Sequence, residues 1–383
     1  MNVSLLPCRV TALSTVLLFL QVLVAVGSIN AAEARSFWQA EWEKVVKAAE
    51  EEGQVRIYAS NSVGNLQVIW DAFQRRYPRI KLTGAAVGRG SDMVPKLMAE
   101  RRAGKYLADV FLGAPSAIYI NFYRAKILEP IPPALILPEV TDLSKWWQGK
   151  HHYVDLESQY IFMYESSLYG PQISYNTKLV KPEEITSVWD VLHPKWKGKF
   201  EAAHIGPTQG STAIVFLYHH PQIGPKFLEK LYGEMDVTLF GDFRQATDWL
   251  AQGKFSLCLL CRRIDRAAAQ GLPVAELNPY DLKEKPGIGA GSGAIGLMNR
   301  HPHANAAKVF INWYLSREGQ IAFRQANTDE HRKASLREDL LLDIVPELAR
   351  RRQDKEYVFI NRPEWMDEKP IHALLERVIR KHK

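Results

Sequence analysis

Two cysteines and two arginines follow one another closely in this 383-residue chain, and their types and spacing could support chemistry. Cys258 and Cys261 have the CxxC spacing that a redox pair or half of a metal site uses. Cys258 lies inside a predicted strand and no second CxxC occurs, so we interpret both residues as ordinary cysteines at the end of a strand. Whether the two thiols are oxidised to a disulfide is left open by the sequence.

Arg262 and Arg263 come directly after this strand, which is predicted at Phe255–Leu260. Two guanidiniums suit a carboxylate, phosphate or phosphonate, because each can bind such a group through paired hydrogen bonds. The net charge of +7 adds a weak field that favours anionic ligands. The alternative is that both arginines form structural salt bridges, and the sequence does not separate the two roles.

The remaining motifs do not indicate an enzyme, a metal site or a cofactor. Gly291 to Gly296 satisfies G-x-G-x-x-G, but a dinucleotide site needs a strand before the glycines, whereas here the strand Ala294–Met298 follows them. We expect these glycines to permit the backbone to cross between the lobes. The eleven histidines include no i,i+4 pair with the intervening Glu of a zinc hydrolase. No basic run is interleaved with aromatic residues, so nucleic-acid binding is not predicted.

The first part of the chain alternates strands with helices. Strands are predicted at Val55–Ala59, Ile80–Gly84 and Ala108–Leu112, with helices at Leu66–Tyr77 and Asp92–Ala103 between them. This order is typical of an open parallel sheet, in which ligands lie beyond the carboxyl ends of the strands. The loops after the strands supply the first candidate ligand contacts, which are Ser60, Asn61, Ser62, Arg89, Ser91, Ala114, Pro115 and Ser116.

A polar turn before a helix that runs through Tyr218 supplies a second set of candidates. They are Thr208, Gln209, Gly210 and Ser211. Backbone N–H groups at the start of a helix attract anions. Simple capping of the helix by this turn is the alternative, and one residue can do both. Asp242 and Arg244, at the start of the predicted helix Asp242–Leu250, complete the candidate contacts.

The segment from His301 to Gln320 predicts two consecutive helices. Its apolar residues recur at helical spacing and give one broad apolar face, while polar residues such as Asn312 fall off this face. Ser316 is predicted to cap the start of the second helix. The amino-acid sequence of this segment, which ends in Leu-Ser-Arg-Glu-Gly-Gln at 315–320, closely resembles a segment of family 1 extracellular solute-binding proteins of ABC importers. That family includes the periplasmic ferric-ion binders.

A second passage strengthens the resemblance. Tyr-Asn-Thr at 175–177 precedes Pro-Lys-Trp-Lys-Gly-Lys at 194–199, which looks like the passage by which the family's chain enters its second lobe. The resemblance runs from about Glu52 to Asp329. It implies an α/β fold of the two-lobed periplasmic-binding-protein (type II) class, in which each lobe is an open, mostly parallel sheet flanked by helices.

The resemblance also implies an organisation and a function. We expect lobe 1 at 37–145, lobe 2 at 146–288, a return to lobe 1 at 289–330, and a charged helical C-terminal extension at 331–383. The chain is expected to be a monomeric periplasmic substrate-binding protein of an ABC importer. It would capture a small organic anion in the cleft between the lobes and deliver it to the ABC permease in the inner membrane.

Two alternatives remain. The ferric binders hold their metal with a tandem pair of tyrosines just after the strand that corresponds to 255–260, but this chain has Arg262 and Arg263 there. Two guanidiniums repel a trivalent cation, and this disfavours direct binding of ferric ion. A ferric-ion or iron-chelate binder is therefore kept as the alternative within the family and not as the main prediction. The alternative from another class is a periplasmic thiol oxidoreductase that uses Cys258 and Cys261.

Residues 1–34 predict a cleaved secretory signal and hence a periplasmic protein. Arg9 precedes an apolar run from Thr11 to Val26, and Ala-Glu-Ala at 32–34 supplies the small residues of a cleavage site. An uncleaved anchor is the alternative, because the run approaches the ~18-residue minimum for a membrane span.

Cleavage at this site predicts that the mature protein begins near Arg35. Intact-mass spectrometry of the protein recovered from the periplasm measures this directly. A chain that retains Met1 would contradict cleavage and favour the anchor.

Overall fold

A computed structural model describes residues 37–59, 65–86, 90–203, 212–327, 333–340, 345 and 350–380. The predicted signal at 1–34 lies outside these ranges. So do the candidate contacts Ser60, Asn61, Ser62, Arg89 and Thr208–Ser211. Within the described ranges, every helix is too short or too polar to span a bilayer.

The strands of the described residues are, in chain order, β1 (Gln54–Ala59), β2 (Lys81–Ala86), β3 (Val110–Gly113), β4 (Leu128–Glu129), β5 (His152–Tyr153), β6 (Ile161–Met163), β7 (Glu165–Tyr169), β8 (Ile173–Asn176), β9 (Phe200–Ala203), β10 (Thr238–Phe240), β11 (Leu257–Leu259), β12 (Val274–Glu276), β13 (Gly287–Gly289), β14 (Ala294–Met298), β15 (Lys333–Ser335) and β16 (Val358–Phe359).

The helices are α1 (37–52), α2 (Leu66–Arg76), α3 (Gly90–Arg102), α4 (Pro115–Ile118), α5 (Pro138–Thr141), α6 (Thr212–His219), α7 (Pro225–Glu234), α8 (Phe243–Ala251), α9 (Ile264–Ala269), α10 (Ala304–Leu315), α11 (Arg317–Ala326) and α12 (Lys369–Arg380). A π-helical segment, Tyr119–Tyr123, continues α4, and short 3-10 helices lie in the connections.

The first sheet has the strand order β2-β1-β3-β14-β6-β5, with β4 paired to β14. β1 pairs in parallel with β2 and β3, as the order of strands and helices predicted. β14 pairs antiparallel with β3 and β6, so the sheet is mixed and less parallel than predicted. The second sheet, β10-β9-β11-β8-β12, is also mixed. Antiparallel neighbours need no crossover helix between them. A strand that arrives from the other lobe can therefore join a sheet in the antiparallel direction.

Two separate apolar cores confirm the two-lobed fold. The first lies around the first sheet, where Phe73 on α2 packs edge-on against Trp313 of α10 with the ring centroids 5.2 Å apart. The second lies around the second sheet and includes Phe216 of α6 and Phe227 of α7. Each core buries its own set of large apolar side chains, so each lobe has its own source of hydrophobic stability.

Two antiparallel strands carry the chain between the cores. The first core extends to Tyr164, β7 follows, and Tyr169 already belongs to the second core. β13 pairs with β7 and returns the chain to the first core at Ala290. A Cβ on Gly293 would lie 2.0 Å from the Glu165 Cβ, so the absence of a side chain at this position allows Glu165 to approach the backbone closely.

The residues after 332 contact both lobes. β15 pairs with β7 and β16 pairs with β13, so the crossing strands are the centre of a four-stranded sheet. Leu336 lies in the first core, whereas Leu374 and Leu375 of α12 lie in the second. The predicted lobe limits stay predictions.

Asn312 corrects the prediction made for the helix pair. Ser316 caps α11 as predicted, because its Oγ accepts a hydrogen bond from the Gly319 N–H at 3.3 Å. Asn312, expected off the apolar face, is fully buried instead. Its Oδ1 accepts from the N–H groups of Ile136 and Leu137 at 2.7 and 3.0 Å, and its Nδ2 donates to the Ala134 carbonyl at 2.7 Å. The Asn312 side chain therefore satisfies backbone hydrogen-bonding groups of the 134–137 loop. The sequence of this loop has no hydrophobic periodicity from which the contact could be predicted.

We predict that Asn312→Ala lowers the free energy of unfolding by about 2–4 kcal/mol, because it leaves buried backbone groups of the 134–137 loop without partners. Urea unfolding followed by tryptophan fluorescence measures the change. Arg317→Ala, at an exposed position on the next helix, is the control and should change stability by less than about 0.5 kcal/mol. Equal effects of the two substitutions would contradict this role of Asn312.

Candidate functional site

A cavity of about 790 Å³ opens beside α8 and α9 on the second lobe. All the described residues that line it come from one stretch of chain, 241–272. They are Gly241, Asp242, Phe243, Arg244, Thr247, Asp248, Arg262, Arg263, Arg266, Ala267, Gln270 and Leu272. Four arginines face two aspartates in this lining, so the cavity carries an excess of positive charge.

A sharp turn after β11 positions the two predicted arginines. Leu260 and Arg263 both have left-handed backbone conformations, with φ of 66° and 60°, and α9 begins directly after Arg263. Such conformations are uncommon for residues other than glycine and cluster at functional sites. The turn therefore places Arg262 and Arg263 at the edge of the cavity instead of continuing the strand into the second core.

Arg262 is held by contacts with α8. Its guanidinium carbon lies 4.1 Å from the centroid of the Phe243 ring, within the range of a cation–π interaction. The Thr247 hydroxyl donates to the Arg262 carbonyl oxygen at 3.1 Å and to the Phe243 carbonyl at 3.0 Å. These contacts fix the turn to α8 and restrict the directions in which the Arg262 N–H groups can point.

Asp242 caps α8. Its Oδ1 accepts hydrogen bonds from the backbone N–H groups of Gln245 and Arg244 at 3.1 and 2.7 Å. These bonds lower the pKa of the carboxyl group. Asp242 thus stays ionised at neutral pH and keeps a negative charge beside Arg244, which shapes the field at this end of the cavity.

The candidates from the first lobe lie elsewhere in the described residues. Ala114 precedes α4, and Pro115 and Ser116 begin it, directly after β3 as predicted. Ser91 lies in α3. Ala114, Pro115 and Ser116 do not contribute to the described lining of the cavity.

Sequence reasoning did not find Phe243, Thr247, Arg266 or Gln270. Arg263, Arg266 and Gln270 follow one another at three- and four-residue intervals, so a polar, partly basic helix face was present as a signal. Phe243 offered no such signal, because an aromatic residue at the start of a helix is indistinguishable from a core residue in one sequence. Its role becomes visible only when α8 is placed beside the turn.

Cys258 and Cys261 form a disulfide at the base of the arginine turn. Cys258 lies in β11, as predicted, and is directly opposite Glu201 of β9. Glu201 is completely buried, and this burial raises the pKa of its carboxyl group to about 8, although the charge of Lys254 opposes the shift. Glu201, Cys258 and Cys261 bring their ligand-type atoms within 4.8 Å of one another, but the sulfurs are bonded to each other in this state.

Comparison with known proteins identifies the family but not the ligand. Bacterial extracellular solute-binding proteins match the chain over residues 59–321, whereas no curated protein matches it. The chain is similar to IdiA (FutA) of Trichodesmium, solved with iron and citrate, at 17% identity and a TM-score of 0.61 over 85% of this chain and 99% of that one. It is also similar to GacH of Streptomyces glaucescens, studied with acarbose, at 14% identity and a TM-score of 0.59 over 86% and 94% of the two chains.

A third neighbour is AfuA of Actinobacillus pleuropneumoniae with fructose-6-phosphate bound, at 17% identity and a TM-score of 0.54 over 86% of this chain and 97% of that one. At these identities the structural neighbours show the shared fold, and the family match covers more than half of the sequence. The chain belongs to the bacterial extracellular solute-binding protein family.

Proposed function

We propose that this solute-binding protein captures a small organic anion, with Arg262 and Arg263 as its main contacts on the second lobe. The observation that carries the proposal is the cavity of about 790 Å³, whose described lining contains four arginines and two aspartates. Carboxylate, phosphate and phosphonate groups all match the planar, forked donors of arginine.

The local geometry supports binding over a purely structural role. Arg262, Arg263 and Arg266 are exposed, and all three line the cavity. Arg262 stacks on Phe243, so less side-chain freedom is lost when a ligand binds. An anion that entered here would gain charge-assisted hydrogen bonds from Arg262, whose side chain is already ordered against the Phe243 ring.

The first lobe would complete the site when the protein closes. Ser60, Asn61, Ser62, Arg89, Ser91 and Ala114–Ser116 follow strands of the first sheet, and the turn Thr208–Ser211 follows β9. Hinge closure about the crossing strands β7 and β13 would bring the groups of the first lobe over the ligand, while the turn Thr208–Ser211 would contact it from the second lobe, beside the arginines. The AfuA and IdiA neighbours bind fructose-6-phosphate and iron with citrate, so anionic ligands occur on this fold.

Direct binding of ferric ion is the less favoured alternative. The described lining offers Asp242 and Asp248 as oxygen ligands but no tyrosine, and Asp242 already caps α8. Four guanidiniums around the same cavity would repel a trivalent cation. An iron complex that carries an anionic chelator would meet less of this repulsion than the bare ion.

The remaining parts of the proposal concern the cell. We propose that the chain is exported with cleavage of residues 1–34, acts as a monomer in the periplasm, and passes its ligand to an ABC permease in the inner membrane. The family to which it belongs is extracellular, which supports export.

We predict that Arg262→Ala and Arg263→Ala each weaken anion binding roughly ten- to a hundredfold, because a charge-assisted hydrogen bond contributes about 1.5–3 kcal/mol. Mass spectrometry of ligand released from gently purified protein identifies the compound, and calorimetry with that compound measures the affinities. Arg262→Lys keeps the positive charge but loses the paired N–H donors of the guanidinium. Its affinity should therefore lie between that of Arg262→Ala and that of the parent. Arg380→Ala, at an exposed position of α12, controls for the change in net charge.

The anion should also raise the melting temperature and reduce the radius of gyration, while neutral sugars should do neither. Two results would contradict the proposal. One is thermal stabilisation by ferric ion without any anion. The other is unchanged affinity in both alanine variants, which would show that the guanidiniums form structural salt bridges.

A further inference from the structure

The disulfide beside the arginine turn has an unusual neighbour. β9 and β11 are adjacent parallel strands, and their register places Glu201 directly opposite Cys258. The Cys261 Sγ lies 4.0 Å from Glu201 Oε1. Cys258 and Glu201 are fully buried, whereas Cys261 is partly exposed. Cys261 is therefore the half of the disulfide that lies nearer to solvent, and the Glu201 carboxyl group lies beside it.

Glu201 has no evident structural role that would explain its burial. Among the described residues, its Oε2 has no hydrogen-bond partner, and it forms no ion pair. A buried polar group without partners is costly and calls for an explanation. Because burial raises the pKa of this carboxyl group to about 8, Glu201 carries a proton at neutral pH. A neutral carboxylic acid beside a sulfur atom is a proton donor in position.

We propose that Cys258 and Cys261 form a thiol–disulfide exchange site in which Glu201 is the internal proton donor, and that the state of this site controls the arginine turn. The co-reactant is a dithiol. The first half of the proposal is independent of what the protein binds, and the second half rests on the proposed function.

One thiolate of the dithiol attacks the accessible Cys261 Sγ and forms a mixed disulfide, while the bond between the two cysteines breaks. Cys258 Sγ leaves with the electron pair and takes the proton of Glu201. The second thiol of the co-reactant loses its proton to water and attacks its own partner sulfur, which releases Cys261 as a thiolate that is protonated from water. The dithiol is oxidised by two electrons, the cysteine pair is reduced, and Glu201 regains its proton from solvent.

The disulfide is tied to the ligand cavity through the chain itself. The disulfide closes the loop from Cys258 to Cys261, which contains the left-handed residue Leu260, and the left-handed Arg263 follows two residues after this loop. Unfavourable backbone conformations persist only where the surrounding structure holds them. When the bond is broken, one of these restraints is lost. The turn can then relax, and Arg262 can leave its position above the Phe243 ring.

The rate of reduction tests the exchange site. The full chain is treated with dithiothreitol at pH 6 to 10 without denaturant, in the presence of EDTA so that no metal holds the reduced pair, and free thiols are alkylated and counted by mass spectrometry. The rate in the parent depends on the dithiothreitol thiolate, which increases with pH, and on protonated Glu201, which is lost above about pH 8. It should therefore rise to about pH 8 and then level off and fall.

Glu201→Gln keeps the volume of the side chain but cannot donate a proton in this way. We expect reduction at pH 7 to be at least about tenfold slower, with a rate that continues to rise above pH 8 towards the thiol pKa of the reagent. Glu234→Gln, at an exposed position of α7, should behave like the parent. A disulfide that is reduced only in denaturant overturns the proposal, as does the same pH profile in the parent and Glu201→Gln. If Glu201→Gln does not fold, a parent profile that simply follows the reagent's thiolate overturns it.

A second measurement tests the control of the arginine turn. Citrate and inorganic phosphate serve as probes, and their affinities are compared between the oxidised parent and the Cys258→Ser/Cys261→Ser double variant. We expect at least a tenfold loss for a probe that binds the oxidised protein, and equal affinities overturn the control. If neither probe nor any other anion binds the oxidised protein while reduction follows the expected pH profile, the proposed function and the control fail and the exchange site stands. If anions bind but the exchange tests fail, the proposed function stands without it.

Discussion

The pairing of β7 with β13 is the constraint on which the rest of the structure depends. The chain builds two separate cores, and these two short antiparallel strands carry it from one core to the other and back. Because each core excludes water independently, the lobes need not share a large interface. Two lobes joined in this way can enclose a cleft between them, and the proposed binding residues of the second lobe lie on elements that do not contribute to the core of the first.

Much of this arrangement could be predicted from the sequence. The strands β1, β3 and β14 fall within two residues of their predicted ends, because buried β-branched and aromatic residues bounded by glycine and polar turns give a strong local signal. The pairing direction was harder to predict, since it depends on where a strand arrives from. β14 lies beside β3 only because the chain returns from the second lobe, which no local pattern encodes.

The site shows the same division. Arg262 and Arg263 stood out because they replace the tandem tyrosines of the ferric binders, and the structure places both beside a cavity. Glu201 was not noticed, although it sits in an otherwise apolar strand. Its significance comes from the register that sets it opposite Cys258, a contact between residues 57 positions apart that sequence spacing cannot reveal. Asn312 was misjudged for a related reason, since its partners lie in a loop far away along the chain.

The late segments of the chain have a consequence for the order of folding. Leu336 and Met366 belong to the first core, and Trp365, Ile371 and Leu375 belong to the second. β15 and β16 also supply the outer strands beside the crossing pair. Because the ribosome makes these residues after the other members of both cores, neither lobe can complete its packing before they are available. The topology itself therefore makes the completion of both cores depend on one late, continuous part of the chain.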